Sequence, residues 1–491
     1  MREYERFNTV CANAYVRPVI GTYLNRLVDL LAGVGITCPV LLMHSGGGIV
    51  SVDHAASFPV RLMESGPAGG ALFAGTFAEQ FDLAKVVSFD MGGTTAKICL
   101  IEDAKPTTAN VFEIDRSYRF KKGSGMPISI PVIEMVEIGA GGGSIASIDS
   151  MNQIRIGPHS AGSEPGPACY QRGGVRPTVT DADLILGRLD PDNFANGAIP
   201  LSKEASSKAL VVDVGSLIGL NDKESAYGVS EVVDENMANA ARAHAVENGQ
   251  AIEEFTMIAF GGAAPIHAAR LGEKLGIRRV IIPPSAGVGS AVGFLKAPFG
   301  YEVIRSAFMR VDSVSASELN KIFQEISAET VTFLEQGVDN GTIHWERRAF
   351  MRYVGQGWEI PVDLPARVYV DEDRQLIKQL FDEAYARFFG RTVASQPVEI
   401  VSLTVKASSE LPLVPLHSTN NVVTSSHIRS MFDAGLGEEV QAQIHERTSL
   451  NIGDCVVGPA IIVEAETSTV VTSSYAATVQ ADRSLLLEMR K

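Results

Sequence analysis

Cysteine is scarce and unpaired in this chain. The five cysteines, Cys11, Cys38, Cys99, Cys169 and Cys455, are odd in number, and no two share a CxxC spacing. Such a set argues against a disulfide framework and a cysteine-built zinc site, and for a reducing compartment. Positive charge is also short: 42 Lys and Arg stand against 57 Asp and Glu, a formal net charge of -15. Nucleic acid is held through a basic field. None runs through this sequence, and the short basic stretch Arg116 to Lys122 reads as a solvated face. No apolar run approaches the roughly twenty residues of a membrane helix. Met1 to Phe7 is charged with no apolar core behind it, so no signal peptide is expected. The expectation is a cytoplasmic protein without nucleic-acid or membrane partners. An acidic balance leaves nucleotides open, because local amides and a metal ion can hold phosphate on an acidic protein.

What the chain has in quantity is glycine, 46 residues gathered in short motifs. That is the pattern of tight turns and close backbone approach to a ligand. Val19, Leu24, Leu27, Leu30 and Leu31 have helical spacing and predict a helix over Tyr15 to Val34. A short strand over Pro39 to Met43 runs into Ser45-Gly46-Gly47-Gly48, and Ser65 to Gly70 opens a small-residue helix reaching about Phe81. Strands over Val86 to Asp90 and Ala96 to Glu102 flank a short turn and predict an antiparallel pair. After a glycine run at 139–143, Ile154 to Pro177 reads as a long ordered loop or a lid. Helices are expected over Asp181 to Gly187, Ser202 to Ile218 and Glu224 to Glu247. A β–turn–α–β unit follows: strand Thr256 to Phe260, a glycine turn, helix Ile266 to Leu275, strand Arg279 to Ile282. Past about Ser306 the texture changes to amphipathic helices (Ser315 to Leu334, Arg374 to Phe389) and strands (Ala349 to Val354, Glu399 to Ser408). It ends in short β runs at Val456 to Glu464, Ser468 to Thr472, Ala477 to Val479 and Leu485 to Met489. The predicted architecture is α/β over 1–305, followed by a smaller α+β domain over 306–491.

The stretch Asp90-Met91-Gly92-Gly93-Thr94-Thr95 carries the most chemistry. Two glycines in a tight turn present backbone N–H groups with no side chain in the way, a nest for phosphate oxygens. The hydroxyls of Thr94 and Thr95 add donors. An aspartate at the strand end can hold a Mg²⁺ hydration shell or orient a water. A P-loop would need a Gly-Lys-Ser/Thr helix start, which is missing here. The competing reading is a plain Gly-Gly hairpin. Gly261, Gly262 and Ala263, between a strand end and a helix start, form the second element. They suit either a nucleoside on bare backbone or close helix–strand packing.

Other candidates carry two readings each. His159 lies in the Gly/Pro-rich loop and leans toward a catalytic part. Asp181 is either a catalytic carboxylate or the N-cap of the helix it opens. His267 and His44 each follow or precede a glycine turn, as ligand contacts or structural histidines. Glu137 is a ligand-side carboxylate or a strand end, and Cys169 a buried structural thiol or a reactive one. Tyr353, Gln356 and Trp358 form a docking surface or part of a core.

Taken together, several segments resemble the hydantoinase A, 5-oxoprolinase and acetone carboxylase β-subunit family, within the wider actin-like ATPases. They are Arg2-Glu3-Tyr4-Glu5-Arg6, Ser65 to Gly70, Asp90 to Thr95, Glu137 to Ile145, GPHSAGSEPGPACY (Gly157 to Tyr170), Pro177 to Asp183, and Phe260 to His267. The resemblance covers essentially the whole chain. It implies a partial actin-like (ribonuclease H-like) ATPase domain using ATP and Mg²⁺, with Asp90 as metal or water ligand. It implies ring opening of a cyclic amide through a phosphorylated carbonyl, with an ATP-dependent carboxylase subunit or a non-catalytic subunit as alternatives. The implied partners are a hydantoinase B-like subunit and an N-terminal lobe with a second acidic-Gly-Gly-Thr turn, in an oligomeric enzyme. Only one such turn occurs in this sequence, so the chain is expected to lack that lobe.

Overall fold

The computed structural model describes residues 3–115, 117, 123–297, 300–334, 343–393, 396–409, 421–425 and 427–490. Of the basic stretch Arg116 to Lys122, all but Ser117 lies outside the described residues, as does Arg2 of the N-terminal motif.

The chain divides into two compact units, each assembled from three separate stretches: 1–68, 108–132 and 296–412 in one, 69–107, 133–295 and 413–491 in the other. The expected division at 305 falls close to one of these crossings. Past that division, residues 306–412 and 413–491 belong to different units.

The larger unit is built on a ten-stranded sheet. Within it the strand Lys85–Met91 is antiparallel to Ala96–Glu102 on one side and parallel to Thr256–Phe260 on the other. Both neighbours of the glycine turn were legible as strands because their apolar runs are continuous. All five residues of Thr256–Phe260 are buried, the signature of a strand covered on both faces. Arg279–Ile282 continues the parallel set, and Leu485–Met489 then pairs antiparallel with it. Helices Val179–Ile185, Asp222–Glu247 and Ala264–Leu275 belong to this unit. So does a four-stranded sheet ordered Ile428–Asp433, Glu438–Glu446, Ala460–Val463, Ser468–Val471. The single run expected over Val456 to Glu464 is two strands in two different sheets, Asp454–Val457 and Ala460–Val463. The chain breaks between them at Gly458, where a Cβ would lie 1.9 Å from the carbonyl oxygen of Thr472. The Ile154 to Pro177 loop begins as a strand, Ile154–Ser160, in a hairpin with Ser144–Ile148.

The smaller unit holds the helix Glu3–Gly33, longer than the apolar spacing predicts. Its sheet runs Gly300–Arg310, Val398–Ser409, Ile343–Tyr353, Ile360–Leu364. Helices Ala316–Leu334 and Asp373–Phe389 place Phe323, Ile326 and Phe381 in a core with Met351, Leu403 and Val405. No helix among the described residues is long and apolar enough to cross a membrane.

Candidate functional site

Asp90 stands near the end of the strand Lys85–Met91, opposite Lys97 on one neighbour and Phe260 on the other. That is the carboxyl edge of the parallel strands, where α/β sheets open toward ligands. Its carboxylate accepts a hydrogen bond from Ser290 Oγ at 2.9 Å. Burial pushes the Asp90 carboxyl above its ordinary range, while the Ser290 hydroxyl and the charge of Lys97 pull the other way. Lys97 donates to Thr95 Oγ1 at 2.8 Å and pairs with Glu137 at 3.3 Å. Glu137 is thus the partner of the lysine beside the turn.

The turn itself closes through Gly92 N–H to Thr95 O at 3.1 Å. It is braced from one side by the glycine run. Gly142 N–H donates to Gly92 O at 3.0 Å and Gly143 N–H to Gly93 O at 2.6 Å. Gly142 O in turn accepts from the N–H and Oγ1 of Thr180 at 2.7 and 2.9 Å. Glycine is required at 141 by contact, since a Cβ there would lie 2.7 Å from Gly92 O and Thr94 N. Gly92 and Gly93 are different. Neither has a left-handed backbone, and a Cβ at either would meet nothing within 4 Å. Gly93 and Thr94 are exposed. Neither packing nor conformation calls for glycine at these two positions.

The second glycine turn lies directly beside Asp90. Gly261 has φ +98°, and a Cβ there would stand 2.4 Å from Met91 O and 2.7 Å from Asp90 Oδ1. Both conformation and contact therefore demand glycine. Ala263 N–H donates to Met91 O at 2.9 Å, joining the two turns. Gly262 is exposed, and the helix Ala264–Leu275 begins without a side-chain cap. The structure thus brings Asp90, Gly92, Gly93, Thr94, Thr95, Gly261, Gly262 and Ala263 together at the ends of two adjacent strands. Two contributors gave no signal in sequence. Ser290 comes from the helix Gly289–Lys296, and Thr467 donates from Oγ1 to Gly262 O at 2.9 Å.

Two expected site residues are placed otherwise. His159 is exposed on the strand Ile154–Ser160, and no hydrogen bond or ion pair joins it to Asp90 among the described residues. Its neighbours border the glycine run, Pro158 beside Gly139 and Ser160 through its Oγ, which donates to Gly143 O at 3.2 Å. Asp181 is neither the N-cap nor open to a substrate. Thr178 has the extended backbone of the N-cap, and Asp181 sits three residues on, completing a capping box. Its fully buried carboxylate accepts from Ala168 N, Cys169 N, Thr178 N, Thr178 Oγ1 and Ser206 Oγ at 2.6–3.2 Å. A carboxylate so occupied clasps the Gly/Pro-rich loop to its helix and has no lone pair for chemistry. The spacing Thr-x-x-Asp was readable as a capping box. Asp181→Ala is expected to lose more than the ~1 kcal/mol of a simple cap, because each buried donor left unpaired adds about 1–3 kcal/mol. Chemical denaturation of the purified variant measures this, and a loss no larger than a cap's would contradict the clasp.

Cys169 is the buried structural thiol of the two readings, its pKa pushed up by burial and by Asp181. His267 is also structural. It is fully enclosed, with Nδ1 2.8 Å from Asp234 Oδ1 and Nε2 3.2 Å from Asp183 Oδ2. Asp183 also receives Arg188, at 3.0 Å. In the smaller unit His44 is buried and accepts from Gly46 N–H at 3.0 Å. Tyr353 is core, edge-on to Phe381 and Tyr385, and Gln356 donates to Tyr385 Oη at 2.7 Å, whereas Trp358 is exposed.

Residues 6–303 match the family described as hydantoinase/oxoprolinase, and residues 309–491 match the hydantoinase/oxoprolinase C-terminal domain. The chain belongs to the hydantoinase/oxoprolinase family. An uncharacterised protein of Methanocaldococcus jannaschii is 33% identical over 99% of this chain and 71% of its own length. The caprolactamase subunit alpha of Pseudomonas jessenii is 30% identical over 97% of this chain and 68% of its length. The solved structure of the ATP-dependent caprolactamase from that organism superimposes with a TM-score of 0.85, at 28% identity, over 100% of this chain and 71% of that one. The acetophenone carboxylase gamma subunit of Aromatoleum aromaticum is 28% identical over 96% of this chain and 65% of its length. Members of the hydantoinase/oxoprolinase family thus include subunits of an ATP-dependent lactam hydrolase and of a carboxylase.

Proposed function

We propose that the surface around Asp90 is one side of an ATP site, and that this chain works in ATP-dependent opening of a cyclic amide. The observation that carries the reading is the contrast among the glycines. Those at 141 and 261 are demanded by the protein's own atoms, whereas a Cβ at 92 or 93 would meet nothing within 4 Å and one at 262 would meet only Glu466 O at 3.8 Å, all beside a half-buried carboxylate. Bare backbone facing outward is what close approach of phosphate and sugar requires. An antiparallel pair leading into parallel strands, with a glycine turn on each side of Asp90, supports one lobe of an actin-like, ribonuclease H-like ATPase.

An amide carbonyl resists water because nitrogen donates into it. Transfer of the terminal phosphoryl group of ATP to the amide oxygen, with ADP leaving, converts that oxygen into a leaving group. Water then adds to the carbon, the ring C–N bond breaks with the nitrogen taking a proton, and a second water cleaves the resulting acyl phosphate to carboxylate and phosphate. Such chemistry asks the protein for positioning and charge neutralisation. The amide of Gly93 and the hydroxyls of Thr94 and Thr95 would hold the phosphates, with Gly92, whose N–H closes the turn onto Thr95 O, leaving the approach bare. Gly261, Gly262 and Ala263 would hold the nucleoside. Asp90 fits a Mg²⁺ ion that keeps most of its waters, since such an ion needs only one or two carboxylates besides the phosphates. No cluster of three metal-ligating side chains occurs among the described residues, so a protein-caged metal is not the reading. Mg²⁺, when bound with the nucleotide, supplies charge neutralisation across the phosphates.

Two of the named relatives are subunits, and we propose that this chain likewise works with a hydantoinase B-like partner and a further lobe that supplies a second phosphate turn. Phosphate release should be measured on the chain alone and on the chain with these partners co-expressed. The substrate panel comprises lactams of several ring sizes, hydantoins and 5-oxoproline. Stimulation by a cyclic amide in the assembled enzyme is expected, with negligible turnover by the chain alone. Stimulation only by a ketone with bicarbonate would favour the second reading, a carboxylase, which the Aromatoleum relative motivates. No stimulation by either class would overturn both.

A further inference from the structure

We propose that Glu466 recognises the sugar of the bound nucleotide, its carboxylate accepting hydrogen bonds from the ribose hydroxyls. This deepens the nucleotide reading above and rests on it. Glu466 sits at the tip of the hairpin between Ala460–Val463 and Ser468–Val471. The tip is closed by Glu464 N–H to Thr467 O at 2.9 Å. It is tied down at both ends. Glu464 pairs with Arg447, which also donates to Ile282 O at 3.0 Å. Thr467 Oγ1 donates to the carbonyl of Gly262, within the second glycine turn.

Glu466 lies over that turn. Its carbonyl oxygen is the nearest atom to a Cβ built on Gly262, at 3.8 Å, and its own Cβ is 2.3 Å from where a Cβ of Gly287 would be. Glycine at 287 is thus the accommodation that lets this residue approach. Yet Glu466 is exposed, and among the described residues its carboxylate has no hydrogen bond or ion pair, unlike Glu464. A hairpin anchored this tightly fixes the backbone of an acid whose oxygens are unspent.

The order of groups along the surface says which part of a nucleotide that acid meets. The phosphate turn at Gly92 and Gly93 comes first, then Ala263, which bonds the strand end at Met91, then Gly262, then Glu466. A carboxylate repels phosphate but suits a vicinal diol, whose two hydroxyls donate to its two oxygens. An acidic residue on ribose hydroxyls is the solution that dinucleotide-binding folds also use, on an unrelated framework.

The test is calorimetric titration of the full chain in its assembled enzyme with Mg·ATP and with Mg·2′,3′-dideoxy-ATP. Wild type should bind ATP about tenfold more tightly than the dideoxy analogue, the effect of hydrogen bonds to a charged acceptor. Glu466→Ala should lose most of that preference by weakening ATP alone, and Glu466→Gln, which keeps one acceptor oxygen, should retain part of it. Glu466→Ala with the wild-type preference would overturn this inference while leaving the nucleotide site standing. Wild type that binds neither compound would overturn the site and the inference together.

Discussion

Valine at position 93 is expected to abolish nucleotide binding while leaving the protein folded. The side chain would project into open ground, since a Cβ at Gly93 meets nothing within 4 Å and the backbone there is not left-handed. The folded state should therefore tolerate it, with a melting temperature close to wild type. Two methyl groups over the turn would exclude phosphate from the amides, and we expect affinity for Mg·ATP in the assembled enzyme to fall at least about a hundredfold, roughly 2.7 kcal/mol. Asp90→Ala should do the same by removing the carboxylate. Gly141→Val is the control with the opposite signature, because its Cβ would collide with Gly92 O and Thr94 N at 2.7 Å. It should lower stability by about 1–3 kcal/mol as an overpacked site does. Calorimetry and thermal melting on the three variants separate the cases. Unchanged affinity in Gly93→Val or Asp90→Ala would remove the phosphate turn from the site.

Removing His267 should have the largest effect on stability. Burial works against its charge, but Asp183 and Asp234, one on each ring nitrogen, outweigh burial and raise its pKa to about 10. The imidazolium holds two enclosed carboxylates from two other helices, with Arg188 completing the set. His267→Leu leaves those carboxylates short of a cation, and breaking such a buried arrangement costs about 3–5 kcal/mol. The pH dependence follows from the direction of the shift. Because the folded pKa lies above the ordinary value, the proton's contribution is complete below pH 6.5 and is lost as pH rises toward about 10. Stability measured by denaturation should fall across that interval in wild type, and His267→Leu should flatten this component. A variant as stable as wild type, with the same pH profile, would refute the arrangement.

The two glycine turns and their strands were legible because each is a local pattern, an apolar run meeting a cluster of small residues. That they lie side by side rests on the parallel register that sets Asp90 beside Phe260, which no local pattern specifies. His267 read equally as ligand or structure, since its deciding partners, Asp183 and Asp234, lie on other helices. Asp181 was misplaced for a different reason. Its capping box was visible in Thr178-x-x-Asp181, but the donors from Ala168, Cys169 and Ser206 that fill its carboxylate come from outside the helix. The division at 305 followed a real change of texture. It could not show that residues 413–491 return to the unit bearing the glycine turns, because strand pairing across such a separation leaves no periodicity behind.

That return sets an order of events during synthesis. The strand Arg279–Ile282 leaves the ribosome with its Thr256–Phe260 neighbour, but its other edge is filled by Leu485–Met489, translated far later. Until then a row of backbone donors and acceptors flanked by Val280, Ile281 and Ile282 stays unsatisfied, the kind of edge that recruits other chains. Nascent chains of this protein would need shielding over that interval, and a premature stop before 485 would yield a sticky polypeptide rather than a merely shortened one.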